Sequence, residues 1–108
     1  MTALLEIALD DMLDASTDLA LAELESANRA ARLAEQSAEE AESLAREGVA
    51  GAMSWARAAQ LFAVIASDHA ARAEAASPPL SSTGRAAKDA ADRAANYATA
   101  AESACRRD

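Results

Sequence analysis

The chain has 108 residues, 34 of them alanine, and a formal net charge of −8. That length allows one domain at most, and a single cysteine excludes an intrachain disulfide. The charge works against nucleic acid and anionic lipid headgroups as direct partners, and the longest purely apolar run, Leu61 to Ala66, is far short of a membrane span.

Residues 1–15 read as a short first helix, over about 2–15, with Thr2 as its cap. Glu6, Asp10 and Asp14 recur every fourth residue and form one acidic stripe. Leu4, Leu5, Leu9, Met12 and Leu13 cover much of the rest, which is more apolar surface than a one-sided helix needs. This segment is therefore a candidate docking or dimerisation element. The absence of a positively charged leader around these residues makes a poor export signal, and cytoplasmic residence is the expectation. Ser16, Thr17 and Asp18 are three consecutive N-cap types and predict a new helix there. The stripe Leu5, Ala8, Met12, Ala15, Leu19 and Ala22 keeps its rhythm through them, so one unbroken helix is the alternative.

The second helix is predicted over about 17–47. Ala20, Leu24, Ala27, Ala31, Ala34, Ala38, Ala41 and Ala45 alternate at spacings of four and three. Such a seam keeps one helix face toward a partner. Small residues along it let helix axes approach toward the short end of the usual 8–10 Å range. Gly48 and Gly51 then bracket a turn.

A third helix, about 52–76, repeats the seam at Ala52, Ala56, Ala59, Ala63, Ala66, Ala70 and Ala73. Trp55, Phe62 and Ile65 lie on a second stripe of this helix as candidate interaction residues. The placement of Trp55 just after the glycine turn resembles that of the WXG-type small helical secretion substrates, but in Trp55-Ala56-Arg57 it is Arg57 that stands where that motif requires glycine, and no family is assigned. Pro78 and Pro79 end the helix, and 77–83 reads as a linker. A fourth helix, about 84–106 with Ser82 or Thr83 as cap, carries Ala87, Ala91, Ala94, Ala98, Ala101 and Cys105.

The expected fold is all-α: an antiparallel up-down bundle of three long alanine-rich helices plus a short N-terminal helix, with tight coiled-coil-like packing. Burying alanine gains little, because each missing methylene forgoes about 0.8 kcal/mol. Only 21 residues are large and apolar, so burial supplied by a second copy or a partner protein is expected to complete the structure.

No residue pattern points to catalysis. Glu35, Glu39 and Glu42 share a face, but a carboxylate di-iron site needs Glu-x-x-His, and the one histidine, His69, follows Ala66 at that spacing. Ser67, Asp68 and His69 are consecutive, and consecutive positions on a helix point apart. No phosphate loop, dinucleotide fingerprint or zinc spacing occurs. No cofactor or metal is expected. The leading reading is a non-enzymatic interaction or assembly module, self-associating or docked on a partner protein. Two alternatives stand beside it. Residues 1–48 hold twelve acids against three bases, for −9, and residues 49–108 six acids against seven bases, for +1. An acidic inhibitor, antitoxin-like protein or nucleic-acid mimic would use that asymmetry on a basic partner. A bundle binding a small apolar ligand would use Trp55, Phe62 and Ile65 as its lining.

Overall fold

A computed structural model describes residues 2–78 and 81–106, with side chains from residue 16 onward. It holds three helices that pack against one another: α1 (Thr2–Glu47), α2 (Ala52–Ala76) and α3 (Ser82–Arg106). No strand occurs among the described residues.

The separate N-terminal helix is corrected. Thr2 to Glu47 form one helix of 46 residues, and Ser16, Thr17 and Asp18 lie within it, exposed. Cap-type residues start a helix only where something has ended the previous one. Each costs at most about 0.7 kcal/mol in a helix interior, and no glycine or proline occurs before Gly48. The helix stops there for a local reason. Gly48 adopts a left-handed φ of 67°, its N–H donates to Ala45 O at 3.2 Å, and Val49 N–H donates to Leu44 O at 3.0 Å. These are the two bonds of a Schellman motif, which satisfy carbonyls that the helix end leaves open.

Gly51 has φ 105° and its carbonyl accepts the first bond of α2, from Trp55 N–H at 3.2 Å. At the other end Ser77 Oγ donates to Ala73 O at 2.6 Å, and Pro78 follows. The linker is shorter than 77–83, because α3 begins at Ser82. Its cap is Ser81, one residue before the predicted pair: Ser81 Oγ accepts from Gly84 N–H at 3.1 Å, and Ser81 O from Arg85 N–H at 3.1 Å. Gly84 is buried where α3 meets the end of α2. A Cβ there would stand 3.3 Å from Ser81 Oγ and 3.8 Å from Glu74 Cα.

The core is alanine. Seventeen buried apolar residues are described and every one is alanine. They form three groups along the bundle. Ala70, Ala73 and Ala87 meet beside half-buried Leu24 and Ala91. Ala27, Ala30, Ala31 and Ala34 meet Ala66, Ala90 and Ala94, with Phe62 at the edge. Ala38 and Ala41 meet Ala56, Ala59, Ala98 and Ala101. Ala30 and Ala90 lie outside the predicted seams. In a three-helix packing each helix meets two neighbours, so its buried arc is wider than the seam of a two-stranded coil.

Polar contacts tie each pair of helices. His69 Nδ1 lies 2.5 Å from Glu23 Oε2, between α2 and α1. Gln60 Nε2 donates to Glu102 at 2.8 Å, between α2 and α3. Arg93 donates to Asn28 Oδ1 at 3.4 Å, between α3 and α1.

The shape is a rod of 70 × 19 × 13 Å. At 1.5 Å per residue α1 spans about 69 Å, while α2 and α3 span about 37 Å each. The turn at Gly48–Gly51 ties the end of α1 to the start of α2, and Leu24 lies beside Ala73 and Ala87 near the far ends of α2 and α3, so about 17 residues of α1, roughly 25 Å, project past its neighbours.

Candidate interaction surface

Burial of alanine leaves the large side chains outside. Among the described residues from 16 to 106, nine large apolar residues are exposed, and Leu24, Leu44, Phe62 and Tyr97 are half-buried. The reason is steric. Seams that hold the helices within a rod 13 Å thin leave their fully buried positions to methyl groups and admit longer side chains only part way.

The exposed residues are not scattered. Leu61 and Val64 are each 66% exposed and Ile65 is 43% exposed, at i, i+3 and i+4 on the outer face of α2. Ile65 also lines a shallow cleft of about 260 Å³ between α1 and α2, with Ser26, Arg29, Leu33, Phe62 and His69. The lining is apolar apart from its ends. Leu33, 43% exposed, is the contribution of α1. His69 of the lining pairs with Glu23 of α1. Arg57, exposed, stands one turn before Leu61 on α2.

Of the sequence candidates, Phe62 and Ile65 come together in this cleft. Trp55 is 44% exposed and is not among its lining residues. The side chains of Leu4, Leu5, Leu9, Met12 and Leu13 lie outside the described residues; their backbone belongs to the projecting end of α1. Leu33, Leu61 and Val64 were missed. Leu33 carried a signal, as a leucine one residue before seam position Ala34 and three after Ala30.

The α1–α3 side is polar. Asn28, Arg32, Glu35, Arg93 and Tyr97 line a cleft of about 380 Å³. The Glu35 carboxylate beside the Tyr97 phenol pushes its pKa above the ordinary 10.0; burial, a hydrogen bond to Glu35 and the charge of Glu39 add to this, and Arg93 opposes it. At the glycine turn, Val49, Met53 and Cys105 line a third cleft. Cys105 is half-buried and free, in the place its seam position gave it. Among the described residues, no three His, Cys, Asp or Glu side chains are grouped to hold a metal ion. No helix among them is long and apolar enough to cross a membrane.

No protein-family model, curated protein or solved structure matches this chain.

Proposed function

We propose that this chain is a non-enzymatic assembly module, an up-down-up helical bundle that self-associates through the apolar face shared by α1 and α2. The buried groups support the antiparallel order of α1 and α2. Ascending positions of α1, from Leu24 through Ala31 to Ala38, meet descending positions of α2, from Ala73 through Ala66 to Ala59. The seam spacing supports coiled-coil-like packing.

The observation that carries the reading is the inversion of size: alanine inside, leucine, valine and isoleucine outside. Surface area agrees with it. A compact monomer of 11.1 kDa exposes about 5,700 Å², whereas this chain exposes 7112 Å². Its radius of gyration, 18.4 Å, exceeds the roughly 13 Å of a compact domain of this length. The excess, about 1,450 Å² per copy, gives some 2,900 Å² for a pair, within the range of obligate dimers. A membrane-free and nucleic-acid-free setting belongs to the proposal and rests on the acidic balance; cytoplasmic residence belongs to it too and rests on the poor export signal.

A second reading draws on Tyr97. Glu35 and Glu39 raise the pKa of its phenol, and Glu35 lines the α1–α3 cleft together with Arg32 and Arg93. An acidic regulator would offer that side to a basic partner, with binding that weakens steeply as salt rises.

Light scattering over a hundredfold dilution tests the assembly reading. The expected mass is a multiple of 11.1 kDa that falls toward one copy in Leu61→Ser/Ile65→Ser. A helical chain of monomer mass at every concentration would overturn it.

A further inference from the structure

We infer that the α1–α2 cleft receives the projecting end of α1 from a second copy of this chain, reciprocally, so that each protomer completes the other's apolar face. The inference rests on the self-association reading and specifies its geometry.

Three observations converge on this occupant. The first is length. About 25 Å of α1 run past α2 and α3, which is enough helix to cover the cleft and the Leu61–Val64–Ile65 face beside it. The second is pattern. In the sequence Leu5, Leu9 and Met12 fall at i, i+4 and i+7, the spacing with which an amphipathic helix anchors in an apolar groove. The third is charge. Residues 1–28 contain seven acids and no base, and the chain's first base, Arg29, lines the cleft, with Arg57 farther along the outer face of α2. An acidic helix laid there meets cations; the same helix laid against another projecting end meets five acids of its own sign within residues 2–18.

A two-fold axis makes the exchange isologous, with the two α1 helices antiparallel. If Leu9 lies opposite Ala30 of the second copy, the assembly is roughly 85 Å long; pairing of the projecting ends alone gives roughly 110 Å.

The test uses full-length chains in which Cys105→Ser removes the native thiol. One carries Leu9→Cys and the other Ile65→Cys. The two are mixed, equilibrated and joined with a short bis-maleimide, and maximum dimension is measured by X-ray scattering on the wild type. Predominance of the mixed Leu9→Cys/Ile65→Cys product, with a dimension near 85 Å, is the expected result. Predominant Leu9→Cys homodimers near 110 Å, or predominant Ile65→Cys homodimers, overturn the exchange and leave self-association standing. Monomer mass for the wild type overturns both. Circular dichroism of each variant confirms that helix content is retained before the products are counted.

Discussion

Ala34 offers the sharpest test of the alanine core. It is 0% exposed and belongs to the middle group with Ala27, Ala30, Ala31, Ala66, Ala90 and Ala94. Leucine at this position adds three carbons. In open space their transfer from water would gain about 2.4 kcal/mol, at about 0.8 kcal/mol per carbon. At a closed seam the helices must separate instead, at a typical cost of 1–3 kcal/mol. Glycine probes the opposite direction. Ala34→Gly loses about 1 kcal/mol of helix propensity and about 0.8 kcal/mol of methyl burial, so roughly 2 kcal/mol in all. Ala95, exposed on α3, is the control: Ala95→Gly should cost about 1 kcal/mol and Ala95→Leu almost nothing. Urea unfolding at one fixed protein concentration, followed by circular dichroism, reads all four, because the midpoint of an associating chain depends on concentration. Ala34→Leu should unfold earlier and Ala95→Leu at the wild-type midpoint. If Ala34→Leu matches or exceeds the wild type, the seam is loose and the argument from close helix approach fails.

Other consequences are smaller and independent. Tyr97 is the only tyrosine, so absorbance at 295 nm reports its ionisation alone. Its midpoint should lie above 10.0 and fall toward that value in Glu35→Gln. The folded phenol holds its proton longer than the unfolded one, so stability from this group is intact below pH 10 and declines as pH rises through the folded midpoint. A tyrosine that titrates identically in wild type and Glu35→Gln contradicts the assignment. Glu23→Gln, which weakens the partner of His69 between α1 and α2, should cost about 1 kcal/mol at neutral pH in the same urea assay. Gly51→Ala meets no atom within 4 Å yet must hold φ 105°. The left-handed strain of about 1–2 kcal/mol exceeds the gain from a stiffer unfolded chain, and the melting midpoint should drop. A midpoint that rises would mean the turn relaxes at no cost.

Much of the architecture was legible because alanine periodicity is a direct record of which face is buried. Ala27, Ala34, Ala41, Ala56, Ala59, Ala66, Ala73, Ala87, Ala94 and Ala101 are buried at the positions the seams name. The Gly48–Gly51 turn was equally plain, since left-handed φ values call for glycine. The continuity of α1 was harder to read. Ser16, Thr17 and Asp18 are cap types, and whether such residues cap depends on whether the chain needs an end there, which neighbours decide. The interaction surface was half legible. Phe62 and Ile65 announced themselves by bulk and spacing, but Trp55 shares their stripe and sits apart from the cleft. Leu61 and Val64 stand off that stripe and were not singled out, because bulk on an alanine-rich helix ordinarily means burial. Only the thinness of the bundle reverses that rule.

An interior made of methyl groups also bears on how the helices hold their alignment. Alanine has no rotamers to lose or to interlock, so one seam offers nearly the same surface after a slide of one helical turn, about 5.4 Å. Hydrophobic packing alone therefore selects register weakly here, much as a smooth rail does not choose where a carriage stops. The brakes are polar: His69 with Glu23, Gln60 with Glu102, and Arg93 with Asn28, spread over all three helix pairs. A turn's displacement would break each of them while leaving the alanine contacts almost intact. Removing all three together should thus yield a bundle of unchanged helicity whose amide exchange no longer reports a single alignment.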